Sequence, residues 1–154
     1  MAQIEQRLQE LGIILPPSPE ARFTYLPCVR TGNLIYLSGQ DCRINGDLMF
    51  EGKLGDTITI EQGQAAARQT IINCLAVMKG YLGDLDRVVR IVKMLGFVNS
   101  TPDFADQPYV INGASNLLVD IFGENGKHAR SAIGTNTLPF HTPVEIEIIA
   151  EIRD

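Results

Sequence analysis

The sequence predicts an α+β protein in which two long helices pack on one face of a mixed β-sheet. Two stretches repeat apolar residues every three or four positions, as buried helix faces do, and strand-like segments lie before, between and after them. No linker, internal repeat or low-complexity run divides the 154 residues. We therefore expect a single domain over residues 1–154, with residues 1–22 as an N-terminal helix and proline-rich extension.

The first predicted elements are a short helix and a hairpin. Residues 4–11 have the periodicity of an amphipathic helix, which Gly12 ends ahead of the proline-rich segment. Residues 23–29 predict a strand broken near a proline, and residues 34–37 predict a second strand after a Thr-Gly-Asn turn. These two strands should form an antiparallel hairpin that leads into the Ser-Gly-Gln segment at 38–40.

The first long helix has a recognisable start. A short strand at 48–51 and a loop precede Thr59 and Gln62, which have the spacing of a capping box. The helix should run from about residue 60 to about residue 81. Cys74 lies in its apolar stripe, so we interpret it as a buried small hydrophobic residue and not as a reactive thiol.

The second half of the chain predicts a buried strand and a second helix. Residues 88–98 are rich in Val, Ile, Leu and Met, which is typical of a buried strand, although their number leaves a helix possible. Pro108 fits the first turn of the next helix, and Gly123 closes it.

The last strand-like stretch alternates glutamates with aliphatic residues. Successive strand side chains point to opposite faces, so one face carries carboxylates and the other is apolar. The glutamates of one parity are Glu145, Glu147 and Glu151. One interpretation is a half-exposed strand with solvated acids, since such residues are mostly exposed. The other is that one glutamate lies beside Arg130 in a cleft.

Composition excludes several classes of function. The net charge of −5, without a cluster of Lys and Arg, argues against nucleic-acid binding. No apolar run reaches the ~20 residues of a membrane span, and no signal peptide is recognisable, so we expect a cytoplasmic protein with no membrane contact. The odd number of cysteines argues against disulfides and cysteine-based zinc sites. Metal-ligand, phosphate-loop and nucleophile-elbow spacings are absent, so we expect no metal and no cofactor.

Several motifs together resemble the RidA/YjgF family, also called L-PSP or endoribonuclease proteins. They are RTGNLIYLSGQ at 30–40, GKLG at 52–55, ARS at 129–131, LP at 138–139 and VEIEIIA at 144–150. The resemblance implies a chorismate-mutase-like fold that assembles as a homotrimer, with a barrel of sheets inside and clefts between subunits. It also implies hydrolysis of reactive enamines and imines, such as 2-aminoacrylate, to 2-keto acids and ammonia, without a cofactor.

The resemblance also implies roles for particular residues. Arg130 matches the arginine that holds the substrate carboxylate, and a guanidinium suits a planar carboxylate; the alternative is an exposed strand arginine. Glu145 matches the glutamate that positions the attacking water; the alternative is a structural role, with Glu147 as a weaker candidate. The expected pocket members are Ser38, Gly39, Tyr25, Phe97 and Ile133.

Some positions depart from the family pattern. Ala132 stands where a cysteine is usual, Pro108 where an asparagine is usual, and Tyr25 lies in a shorter context than the family tyrosine. The INGAS segment at 111–115 and the GKHAR segment at 126–130 are typical of a longer branch of the family. A trimeric binding protein for a keto acid or similar metabolite therefore stays open beside the deaminase. Ribonuclease activity is the least favoured alternative, because neither the charge balance nor a histidine pair supports it.

Overall fold

The computed structural model describes residues 3–21 and 23–154, and its elements are a five-stranded sheet, a small hairpin and three α-helices. The helices are α1 (Gln3–Glu10), α2 (Ile60–Leu82) and α3 (Gln107–Phe122). The strands of the sheet are β1 (Cys28–Thr31), β2 (Leu34–Leu37), β5 (Val88–Asn99), β6 (Ala129–Thr135) and β7 (Val144–Ile152). The small hairpin pairs β3 (Arg43–Ile44) with β4 (Asp47–Leu48).

The sheet is mixed, as predicted. Its strand order is β1-β2-β7-β5-β6, and every neighbouring pair is antiparallel except β5 and β6, which are parallel. The strand that comes last along the chain, β7, therefore lies in the middle of the sheet. The parallel pair is joined through α3, since parallel neighbours need a crossover connection.

Helices α2 and α3 pack on the same face of the sheet, which confirms the predicted two-helix layer. We call this the helix-covered face; β7 contributes its buried aliphatic side chains to it, including Val144, Ile146 and Ile148. The two helices cross closely at Gly113 of α3, where a Cβ atom would lie 2.3 Å from the carbonyl oxygen of Gln64 in α2. This contact leaves no room for a side chain at position 113.

The opposite face of the sheet is not covered by any described element, and we call it the open face. Strand alternation places Glu145, Glu147 and Glu151 there, among half-buried and exposed apolar side chains. Val29, Tyr36 and Ile133 are 47%, 43% and 48% exposed. Apolar side chains on a sheet face that nothing covers are typical of a surface that buries itself against a partner.

The start of α2 has the predicted capping box. The amide of Gln62 donates to the Thr59 hydroxyl at 3.1 Å, and the Gln62 side chain accepts from the Thr59 amide at 2.9 Å. Both bonds satisfy backbone amides that the first helical turn leaves without partners.

We expect Thr59→Ala to lower the free energy of unfolding by about 1 kcal/mol, because it removes the cap of the longest helix. Urea unfolding followed by circular dichroism measures this change. Gln62→Ala removes only the return bond to the Thr59 amide and should cost less. An unchanged midpoint in Thr59→Ala would contradict this account of the helix start.

Two predicted strands are shorter than expected. The first begins at Cys28 and not near Phe23, because Pro27 has no amide to donate to a neighbouring strand. The prediction of a strand at 48–51 is correct only for its start, since Leu48 ends β4. The turn between β3 and β4 has Asn45 and Gly46 at positive φ of 53° and 90°, the backbone that an Asn-Gly hairpin turn requires.

The N-terminal helix is held to the rest of the fold. The Asp86 carboxylate accepts from the amides of Gln3 and Ile4 at 2.9 Å each, and the Arg7 side chain donates to the carbonyl of Asp120 at 2.7 Å. Of the predicted extension over 1–22, residues 1, 2 and 22 lie outside the described residues. None of the helices in the described part of the chain is long and apolar enough to cross a membrane.

Candidate active site

A pocket lies beside Glu145, where β7 begins. Its volume is about 220 Å³, and its walls combine acidic and aromatic side chains with an arginine. These side chains are Glu20, Asp41 and Glu145, then Phe23, Tyr25 and Phe140, and Arg43. We call this cavity the Glu145 pocket; its size suits a small metabolite and not a polymer.

The Glu145 carboxylate is half-buried, and its environment disfavours its charge. Burial raises the pKa of Glu145 above its usual range, and the negative charges of Asp41 and Glu147 raise it further. A carboxylate with a raised pKa exchanges protons closer to neutral pH, which is the property that a general acid or base requires.

Gly39 leaves the Glu145 carboxylate uncovered. A Cβ atom at position 39 would lie 3.1 Å from Cδ and 3.2 Å from Oε2 of Glu145. Even a methyl group there would therefore press on the carboxylate, which explains why the segment that follows β2 carries a glycine at this position. Gly39 lines the Glu145 pocket, and its part in binding a substrate stays a prediction.

Ser38 holds the segment that carries Tyr25. Its hydroxyl donates to the carbonyl of Leu26 at 2.6 Å, and its amide donates to the carbonyl of Pro27 at 2.9 Å. Ser38 does not line the Glu145 pocket, but its hydrogen bonds hold the segment that does. Tyr25, in that segment, lines the pocket and is 46% exposed.

Phe97 and Ile133 lie next to Glu145 on the open face. Phe97 is the register partner of Glu145 on β7 and of Ile133 on β6, so the three residues form one row across the sheet. Neither apolar side chain lines the Glu145 pocket within the chain. Whether they wall a substrate site stays a prediction.

Arg130 lies on the other face of the sheet. Its register partner on β5 is Met94, which is fully buried among the core residues of the helix-covered face. Arg130 donates from Nη1 to the Ser115 hydroxyl at 2.9 Å and from Nη2 to the carbonyl of Pro108 at 3.2 Å. The expectation that Arg130 and a glutamate share one cleft is therefore not met within a single chain.

Three charged residues of the pocket, Glu20, Asp41 and Arg43, were not predicted from the sequence. Asp41 and Arg43 form an ion pair at 3.1 Å, the Arg43 guanidinium donates to the carbonyl of Gly46 at 2.8 Å, and its Cζ lies 4.9 Å from the centre of the Phe140 ring. The one signal that could have revealed Asp41 and Arg43 is their position directly after the Ser-Gly-Gln segment.

The three cysteines are buried and free, in agreement with the interpretation of Cys74. Burial raises the pKa of the Cys28 thiol to about 11 and raises that of Cys74 as well. Within residues 3–21 and 23–154, no group of three or more His, Cys, Asp and Glu side chains is placed to hold a metal ion.

The fold and the site define a class of protein. Its members are α+β proteins with two helices on one face of a mixed sheet and a half-buried carboxylate in a pocket at one end of that sheet. Residues 5–152 match the family model described as "YjgF/chorismate_mutase-like, putative endoribonuclease". The chain belongs to this family, which confirms the resemblance read from its motifs.

Relatives of known structure and sequence agree with this assignment. The chain is 41% identical to Protein TCP17 of Trypanosoma cruzi over 153 residues, which are 99% of this chain and 96% of the relative. It is 44% identical to the Agrobacterium tumefaciens protein Atu1372, of unknown function, with a TM-score of 0.90 over 97% of this chain and 92% of the other. It is 26% identical to RidA from an Antarctic Psychrobacter, with a TM-score of 0.62 over 88% and 94% of the two chains.

Proposed function

We propose that the protein hydrolyses reactive 2-imino acids and their enamine tautomers, such as 2-aminoacrylate, to 2-keto acids and ammonia. The observation that carries this proposal is the uncovered, half-buried Glu145 carboxylate with its raised pKa. Such a group orients water and accepts a proton from it. The resemblance to RidA proteins implies the same chemistry. The cytoplasmic location stays a prediction.

In the proposed step, the oxygen of a water molecule bonds to the imine carbon while Glu145 takes the water proton. That proton passes to nitrogen, which gives a carbinolamine. When the hydroxyl proton also passes to nitrogen through Glu145, the carbon–oxygen double bond forms, the carbon–nitrogen bond breaks, and ammonia leaves the 2-keto acid. Because these imines also hydrolyse without a catalyst, orientation of the reactants and modest electrostatic help suffice for a useful acceleration.

Arg130 is the proposed anchor for the substrate carboxylate. Two of its five N–H donors are bound to α3, so three remain for a ligand. Because Arg130 and Glu145 lie on opposite faces of one chain, the proposed site combines Arg130 of one copy with the Glu145 pocket of another. The uncovered apolar side chains of the open face support such an assembly, which we propose is a homotrimer with a site in each cleft.

The first test generates 2-aminoacrylate in situ from serine with a pyridoxal-phosphate dehydratase and follows pyruvate release. Wild-type protein should accelerate release over the spontaneous rate, and Arg130→Ala should abolish the acceleration. Arg68→Gln is the matched control and should keep the full acceleration, because this arginine is exposed on α2 and does not line the Glu145 pocket. If the protein accelerates release from no amino-acid precursor, but a 2-keto acid raises its thermal stability, the protein binds such metabolites and does not hydrolyse imines.

A mixing experiment tests the shared site. Arg130→Ala and Glu145→Gln should each be inactive alone, but chains of the two variants that are unfolded and refolded together should regain about a quarter of the wild-type acceleration, since random assembly gives that fraction of intact clefts. Failure of the mixture to regain any activity, when the wild-type protein survives the same treatment, would contradict a site shared between copies.

A further inference from the structure

The INGAS and GKHAR segments, of which the proposed reaction uses only Arg130, meet at one side chain. Ser115 of α3 lies between His128, which directly precedes β6, and Arg130 of β6. The Ser115 hydroxyl oxygen is 2.9 Å from Nε2 of His128 and 2.9 Å from Nη1 of Arg130. All three side chains are half-buried.

The direction of each hydrogen bond in this cluster follows from its fixed members. Nδ1 of His128 is 2.7 Å from the carbonyl oxygen of Gly126, which only accepts, so Nδ1 carries a hydrogen. In a neutral imidazole Nε2 is then an acceptor, and the Ser115 hydroxyl donates to it. Because arginine only donates, the Ser115 oxygen accepts from Arg130. The bonds therefore run in one direction, from Arg130 through Ser115 to His128, and such chains strengthen their members.

The orientation of the Arg130 guanidinium depends on this chain. Its other bond goes to the carbonyl of Pro108 at 3.2 Å, a longer contact at the start of the same helix. Two acceptors on α3 fix a planar group that a carboxylate binds in a defined plane. Without Ser115, one weak bond is left to hold it.

The imidazole is kept neutral by its surroundings. Burial lowers the pKa of His128 below its usual range, the hydrogen bond to Gly126 opposes this shift, and the positive charge of Arg130 adds to it. The neighbouring charged residues, Glu124 and Lys127, are paired with each other at 2.9 Å and exposed. From α3 the group that meets the imidazole is the uncharged Ser115.

We propose that His128, acting through Ser115, is a positioning residue that fixes the Arg130 guanidinium for a carboxylate ligand while the imidazole is neutral. Protonation of His128 turns Nε2 into a donor, so that two cations point N–H groups at one hydroxyl oxygen and the bond to Arg130 weakens. This inference rests on the proposed role of Arg130 as the carboxylate anchor.

The test measures the binding of pyruvate, the product 2-keto acid, by calorimetry between pH 5 and pH 8. We expect Ser115→Ala to weaken binding about tenfold at neutral pH, because a hydrogen bond to a charged group is lost, and Ser115→Thr to restore it. In the wild-type protein the dissociation constant should rise as pH falls through the pKa of His128. His128→Gln, whose amide oxygen accepts from Ser115 but does not titrate, should lack this weakening of binding in acid.

His141→Asn is the matched control, because His141 is the second histidine, lies on an exposed turn with φ of 62° and tolerates asparagine there. It should keep the wild-type pH profile. A simple attraction between a protonated His128 and pyruvate predicts the opposite sign, a tightening of binding in acid that His128→Gln removes, and that result would overturn the proposal.

Arg130→Ala separates the two possible failures. If Arg130→Ala abolishes pyruvate binding while Ser115→Ala and His128→Gln bind as wild type at every pH, the positioning role is wrong and the anchor stands. If Arg130→Ala binds as wild type, the anchor is wrong, and the positioning role falls with it. Thermal unfolding of each variant shows whether the fold is retained.

Discussion

Glu145→Gln is expected to lower the protein's acceleration of 2-aminoacrylate hydrolysis by about 100-fold, which is typical of the loss of a general base. A glutamine side chain binds water but cannot take its proton. Pyruvate release measures the rate. In the wild-type protein the acceleration should grow as pH rises through the pKa of Glu145, which lies above its usual value of 4.5, and the variant should lose this dependence.

A measurement of the stability of Glu145→Gln distinguishes loss of the general base from loss of the fold. Because the pKa of Glu145 is raised in the folded protein, the folded state holds the proton more tightly than the unfolded state does. The native protein therefore loses stability as pH rises from the unfolded pKa through the folded one, and the uncharged glutamine should be at least as stable at neutral pH. Glu151→Gln, on the same face of β7 but outside the pocket, should keep the full rate. Wild-type activity in Glu145→Gln would rule out its role as the base.

Gly113→Ala is expected to lower the free energy of unfolding by about 3 kcal/mol. The added methyl group would clash with backbone atoms of α2, and a clash that only a backbone shift can relieve is costly. The new Cβ atom would lie 2.3 Å from the carbonyl oxygen of Gln64 and 2.8 Å from its carbonyl carbon, so α2 and α3 must move apart. Urea unfolding gives the change in free energy.

Asn116→Ala is the control for Gly113→Ala, since it places the same side chain three residues further along α3 at an exposed position. There alanine should be neutral or slightly stabilising, because it has the higher helix propensity. A Gly113→Ala protein as stable as Asn116→Ala would mean that the two helices do not cross as closely as described.

The helices were predictable because their signals are local. The spacing of Thr59 and Gln62 predicts a start near Ile60, which is where α2 begins, and Gly123 follows directly after the end of α3. Each of these signals depends on backbone groups within one or two turns. Periodicity then indicates which side of each helix is buried.

The sequence predicts which side chains of one strand share a face, but it does not predict which face of the sheet they lie on. Alternation shows that Glu145 and Ile146 lie on opposite faces of β7, but it does not relate the parity of one strand to that of another. Strand β6 is an edge strand whose sequence, ARSAIGT, alternates weakly, so nothing in it indicates that Arg130 points toward the helices. The register with Met94 on β5 and the hydrogen bonds to α3 show this.

The charged residues of the Glu145 pocket were missed for a related reason. Asp41 and Arg43 lie in a loop and a two-residue strand, where no periodicity exists, and they meet Phe140 about a hundred positions further along the chain. Contacts of that separation depend on the whole fold.

The central place of β7 has a consequence for how the molecule forms during translation. Strands β2 and β5, which flank it, leave the ribosome long before it does, and neither can pair with β7 until that strand has emerged. Nascent β2 and β5 therefore carry unpaired edges while synthesis continues, the state in which chaperones bind growing chains and in which aggregation competes with folding. A premature stop codon directly before residue 144 would leave the sequence of every α-helix intact but remove β7, and the two halves of the sheet could then not join.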